Sequence, residues 1–122
     1  MKSILVVEDS RAEQQLIVSL LQNAGHHVQF ASSAEEAWEW LKKSPAKPDM
    51  IVLDIIMPGA TGLDFCRELR QSSEFDSIPV IFCSSKDKEF DQFWALRQGG
   101  NAYITKPFAP NEFMTTVQQY LH

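Results

Sequence analysis

The sequence is poor in features that would make several classes of function easy to read. Its 122 residues hold only two cysteines, Cys66 and Cys83. They have no CxxC or metal-ligand spacing, which excludes a thiolate metal site and a disulfide framework. Both are expected to be small core residues in a reducing compartment. No apolar run approaches the roughly 18 residues that cross a bilayer. The apolar run within MKSILVVEDS is also too short for a signal peptide, so a cytoplasmic protein with no membrane insertion is expected. Lys and Arg number 11 against 16 Asp and Glu, a net charge of −5. With no basic cluster, nucleic acid is not the expected partner. Neither GxGxxG nor a P-loop follows the first apolar run, which removes the familiar nucleotide sites. The histidines offer no metal pair: His26 and His27 are neighbours, which a strand points to opposite faces, and His122 is the last residue.

What is present is an alternation of short apolar runs with helix-period segments, the pattern of an α/β fold. Strands are expected at 4–7, 28–31, 50–53, 80–83 and 102–105. The spacing predicts a first helix opened by a capping box of Ser10 and Glu13, with Leu16, Ile17, Leu20, Leu21 and Ala24 inward and Gly25 at its end. A second box, Ser33 with Glu36, opens a helix carrying Ala34, Ala37, Trp38 and Leu41, stopped before Pro45 and Pro48. Thr61 caps a third helix with Leu63, Cys66 and Leu69 inward. A fourth helix is expected at 87–98, halted by Gly99 and Gly100. The last begins at Pro110 and buries Phe113, Met114, Val117 and Leu121. Trp40 and at least one of Phe90, Phe93 and Trp94 are expected to face outward, because together they span too wide an arc. An exposed aromatic on the fourth helix is a candidate partner surface.

Five strands and five helices in one domain, residues 1–122, imply right-handed crossovers and helices on both faces of a parallel sheet. The flavodoxin-like, doubly wound strand order 2-1-3-4-5 is expected, with ligands bound at the carboxyl edge where strands one and three diverge. Glu8 and Asp9 end the first strand and Asp54 ends the third. Carboxylates on neighbouring strands, about 4.8 Å apart, repel one another unless a cation lies among them. Magnesium suits such oxygen ligands. Asp9 and Asp54 are expected as direct ligands and Glu8 as a direct or water-mediated one, and the turn at Met57-Pro58-Gly59 aims the Ile56 carbonyl at the same ion. Lys106 and Ser84 end the strands beyond Asp54. An ammonium and a hydroxyl beside a metal-bound carboxylate make a pocket for a dianion, so the set Asp54, Lys106 and Ser84 reads as phosphoryl transfer onto Asp54.

The segments VVEDS (6–10), LDIIMPGATG (53–62), PVIFCSS (79–85) and YITKPF (103–108) resemble the receiver domains of two-component response regulators, over essentially the whole chain. The resemblance implies that Asp54 is the phosphoacceptor, loaded by a sensor histidine kinase or histidine phosphotransfer protein. It implies that Glu8, Asp9 and the Ile56 carbonyl complete a Mg2+ site, that Ser84 and Tyr103 are the switch pair, and that Pro107 follows a cis peptide. On phosphorylation Ser84 moves toward the phosphoryl group and Tyr103 turns inward. This remodels the face of the fourth helix, fifth strand and fifth helix, where a downstream protein target docks. Ile56 and Lys86, two residues past Asp54 and Ser84, correspond to positions that tune dephosphorylation. Ser85, where many members have alanine, is a departure.

No output domain follows in the sequence, so the chain resembles stand-alone regulators that act by docking, as in chemotaxis and twitching motility. AWEWL (37–41) and FWALRQG (93–99) are similar to cyanobacterial motility regulators. The expected protein is a self-assisting phosphoacceptor and not a turnover enzyme. A constitutive interaction module on the same fold is the alternative. A haloacid-dehalogenase-like phosphatase needs an acid two residues past its nucleophile, where this chain has Ile56.

Overall fold

A computed structural model describes residues 1–121; His122 lies outside the described residues. The elements, in chain order, are β1 (Ser3–Val7), α1 (Arg11–Asn23), β2 (His27–Ala31), α2 (Ala34–Lys43), β3 (Met50–Leu53), α3 (Gly62–Gln71), β4 (Val80–Ser84), α4 (Glu89–Arg97), β5 (Ala102–Thr105) and α5 (Pro110–Tyr120). All pairings are parallel and the strand order is β2-β1-β3-β4-β5. This is the expected flavodoxin-like sheet. Among the described residues no helix is long and apolar enough to cross a membrane.

Side-chain alternation along each strand divides the core in two. Leu5, Val7, Ile51, Leu53, Val80 and Phe82 face α2, α3 and α4, against Ala37, Leu41, Phe65 and Leu69. Ile4, Val6, Met50, Val52, Ile81 and Cys83 face α1 and α5, against Ile17, Leu21, Phe113 and Val117. β1, β3 and β4 are wholly apolar up to their ends because both of their faces are covered. Cys66 and Cys83 are free and buried, and burial pushes their thiols up to about 11 and about 12. They are inert packing residues, as expected.

The structure corrects several local expectations. β2 begins one residue earlier than expected, at His27, and β4 takes in Ser84. α4 begins at Glu89 instead of residue 87. Leu16 and Ala24 are exposed, and the inward face of α1 is Gln14, Ile17 and Leu21. Gln14 is buried because its amide donates to the Glu8 carbonyl at 2.9 Å and the Ala31 carbonyl at 3.3 Å, tying β1 to β2. On α3, Phe65 is fully buried and Leu63 only partly. Met114 and Leu121 are likewise half-buried. Trp40 packs partly buried against the core. Phe90, Phe93, Trp94 and Leu96 all lie exposed on α4.

Candidate functional site

Strand register brings the ionisable residues together. Val7 is paired with Leu53, so Glu8 and Asp54 leave the sheet side by side. The Asp54 N–H donates to the Val7 carbonyl at 3.0 Å. On the other side, Ser84 is paired with Thr105, and the Lys106 N–H donates to the Ser84 carbonyl at 2.9 Å. The Lys106–Pro107 peptide is cis.

Carboxylate oxygens of Glu8, Asp9 and Asp54 lie within 4.8 Å of one another. Glu8 and Asp54 are buried, whereas Asp9 is exposed at the mouth. Oxygens on one octahedral magnesium are about 3 Å apart as neighbours and about 4 Å apart as opposites. Three carboxylates within 4.8 Å of one another need only side-chain adjustment to converge on such an ion.

Lys106 is the cation inside the cluster. Its ammonium pairs with Glu8, and lies 3.2 Å from Glu13 Oε1 and 3.3 Å from Asp54 Oδ2. Desolvation and the Asp54 charge push the Glu8 carboxyl well above the ordinary carboxylate range, against the opposing pull of Lys106 and the Ser10 N–H. Burial alone would lower Lys106, but the Glu8, Asp54 and Glu13 carboxylates overcome it and hold the ammonium above its usual value. Both groups thus keep their protons more tightly than in water. For Glu8 the chief cause is desolvation, with the Asp54 charge behind it, and for Lys106 it is the negative charge of the carboxylates around it.

Asp54 Oδ1 accepts from its neighbour, the Ile55 N–H, at 2.7 Å, which fixes the carboxylate plane. The helix that follows crowds the same residue. A Cβ on Gly62 would lie 1.9 Å from the Asp54 carbonyl oxygen, and the Gly62 N–H donates to the Ile55 carbonyl at 2.9 Å. Only glycine lets α3 begin this close to the acid. The intervening turn passes through Gly59 at φ +81°, where the Ala60 N–H meets Glu35 Oε2 at 3.4 Å.

Ser84 is fully buried, and its hydroxyl accepts from the Lys86 N–H at 3.3 Å. The Tyr103 ring stacks on Phe82 with 6.3 Å between centroids, and its hydroxyl donates to the Lys86 carbonyl at 2.6 Å. Burial raises the Tyr103 phenol, the Ser84 hydroxyl beside it acting the other way. Tyr103 thus already reaches in toward the loop after β4. The side chains of Ile56 and Lys86 are exposed at the rim.

Glu8, Asp9, Asp54, Ser84 and Lys106 fall on this edge of the sheet, Ile56 and Lys86 lie in the loops that follow β3 and β4, and Tyr103 lies within β5. Three further residues shape the site: Gln14, Gly62 and Glu13. Gln14 and Gly62 act through packing that the sequence does not spell out. Glu13 was assigned to a capping box, and this is corrected. The Ser10 hydroxyl accepts from the Glu13 N–H at 3.5 Å, but the Ser10 N–H donates to Glu8 Oε2 at 3.0 Å. The Glu13 carboxylate turns to Lys106 instead. Its position four residues after Asp9, one helical turn above an acidic loop, was the available signal.

A family model described as response regulator receiver domain matches residues 4–118. Protein PilH of Pseudomonas aeruginosa is 35% identical over 99% of this chain and 98% of its own length. Other curated relatives, transcriptional regulatory proteins, are matched over only about half of their own length. Among solved structures, the chemotaxis response regulator CheY4 of Vibrio cholerae superposes with a TM-score of 0.91 at 29% identity, covering 99% of both chains. The receiver domain of sensor histidine kinase PA1611 from P. aeruginosa, with a magnesium ion coordinated in its active-site cleft, gives 0.88 at 26% identity, covering 98% of this chain and 97% of that one.

Proposed function

The chain belongs to the response regulator receiver domains, and from that membership we propose that it is a phosphorylation switch. In this reading Asp54 takes its phosphoryl group from the phosphohistidine of a sensor histidine kinase or a histidine phosphotransfer protein. The observation that carries the proposal is the buried Asp54 carboxylate, clustered with Glu8 and Asp9 and faced by the Lys106 ammonium at 3.3 Å. A carboxylate so placed is a nucleophile toward phosphorus. Its Oδ2, facing Lys106, forms the new P–O bond as the P–N bond to the donor imidazole breaks, and that imidazole, already protonated on its other nitrogen, leaves neutral.

Glu8, Asp9 and Asp54, with the Ile56 carbonyl, are the residues that would hold Mg2+, which when bound offsets charge on the phosphoryl oxygens. Lys106 and Ser84 supply the remaining contacts, an ammonium and a hydroxyl at the ends of β5 and β4. Ile56 and Lys86 flank the approach of water to the acyl phosphate and so tune how long it lasts. The chain works as one receiver unit, a phosphoacceptor that assists its own loading and hydrolysis without turning over a separate substrate.

The output is a change in docking. The Ser84 hydroxyl is held by the Lys86 N–H, and Tyr103 by the Lys86 carbonyl, so one dianion that draws Ser84 also shifts the partner of Tyr103. Two packings of this loop, contacted unequally by the phosphoryl group, constitute the switch. The exposed Phe90, Phe93, Trp94 and Leu96 of α4, next to β5 and α5, form the apolar face for the downstream protein. The likeness to a chemotaxis regulator supports a role in taxis or motility. The test is incubation with Mg2+ and acetyl phosphate, followed by intact mass. One phosphoryl group is expected on the wild type and none on Asp54→Asn; equal labelling of both would refute the assignment.

A further inference from the structure

Three carboxylates surround the Lys106 ammonium: it donates hydrogen bonds to Glu8 and Asp54 and makes a third ion-pair contact, at 3.2 Å, with Glu13. An incoming phosphoryl oxygen therefore competes with three anions for one ammonium. Glu8 and Asp54 belong to the cluster of close carboxylate oxygens; Glu13 does not. Its side chain is 45% exposed, against 2% for Glu8 and 9% for Asp54, which makes it the most easily solvated partner of the three.

From this we propose that Glu13 is a positioning residue that draws Lys106 away from the acceptor carboxylate and thereby slows phosphoryl uptake. The inference rests on Asp54 being the acceptor. Glu13 stands on the first turn of α1. With Lys106, Leu16, Ile17, Pro107 and Phe108 it lines a groove of about 220 Å³, and its partly exposed carboxylate is hydrated once it lets go of Lys106. The Glu13 carboxylate makes no capping hydrogen bond, because the Ser10 N–H is taken by Glu8, and gives α1 only a first-turn charge that Asp keeps. Its loss therefore leaves α1 and the fold in place. The carboxylate competes with the phosphoryl group for the charge of the Lys106 ammonium, and the competition ends when Glu13 releases.

The experiment compares phosphoryl uptake from acetyl phosphate with Mg2+ in the wild type, Glu13→Gln and Glu13→Asp, with Asp54→Asn in parallel. It adds the Lys106 ammonium resonance in metal-free protein, followed by nitrogen-detected exchange with water. Both Glu13 variants are expected to load about three- to tenfold faster, as befits loss of one screened ion-pair contact. In both, the Lys106 ammonium protons are expected to exchange faster. The aspartate variant keeps the charge but is one methylene too short to reach Lys106, so it separates contact from long-range repulsion. Uptake at the wild-type rate in both variants, or acceleration in Glu13→Gln alone, would overturn the inference. So would unchanged exchange at Lys106. Labelling of Asp54→Asn would instead remove the acceptor assignment on which it rests.

Discussion

Lys106 Nζ lies 3.3 Å from Asp54 Oδ2 while also pairing with Glu8. The lysine therefore already neutralises part of the charge that a metal ion would neutralise, and it neutralises only part. Clustered carboxylates around one ammonium leave the pocket net negative, and its stability should depend on whatever removes that excess.

Replacing Asp54 by Asn removes one of the repelling charges and leaves Lys106 to Glu8. In chelator the variant should be more stable than the wild type by about 1 kcal/mol. Thermal melts check this; an unchanged or lower midpoint counts against a crowded anionic site.

Magnesium should raise the wild-type midpoint because it binds only the assembled cluster. At a hundred times its dissociation constant the gain is about 2.7 kcal/mol. Asp54→Asn should show a much smaller gain under the same titration, and equal gains would place the ion elsewhere.

Lys106→Met should behave oppositely to Asp54→Asn. It leaves Glu8 and Asp54 buried without their cation, an effect of about 3 kcal/mol or more in chelator. Saturating Mg2+ should restore part of that loss. Denaturant melts with and without the ion measure both numbers.

The pH dependence follows from Glu8. Its carboxyl is raised above 4.5 by burial first and Asp54 second, so between its ordinary value and its folded value the native state holds a proton that the unfolded chain has released. Stability of the metal-free protein should therefore fall as pH rises through that interval. His26 works the other way: burial lowers it from 6.5, so protonation as pH drops below that value costs stability. The difference between wild type and Glu8→Gln isolates the Glu8 contribution, and parallel curves for the two would contradict it.

Gly62→Ala should disturb the site through the backbone. The added Cβ meets the Asp54 carbonyl oxygen at 1.9 Å, so the start of α3 or the end of β3 must move, at about 2 kcal/mol or more. A lowered melting midpoint together with weakened Mg2+ binding is the expected pair of results.

The sheet was legible because its central strands are short, continuously apolar and each followed by an ionisable or hydroxyl residue. Asp54 after Met50–Leu53 shows this most plainly. Parallel strands buried on both faces leave that trace in any sequence. The helix interiors were read less well. Periodicity placed Leu16 inward, yet Gln14, two residues earlier, takes a buried position because its amide donates to the Glu8 and Ala31 carbonyls. Glu13 fits a capping box locally, but a long-range partner 93 positions away in the sequence, Lys106, outbids the local one. The acidic cluster was therefore visible from residue types and order, whereas the partner set of its lysine depended on tertiary packing.

The most direct measurement is where the phosphoryl group goes. Wild-type protein loaded with acetyl phosphate and Mg2+ would be reduced with borohydride, which converts an aspartyl phosphate to homoserine, and mapped by peptide mass spectrometry. The account predicts homoserine at position 54 and nowhere else. Reduction at another carboxylate, or phosphorylated protein with Asp54 unmodified, would contradict it.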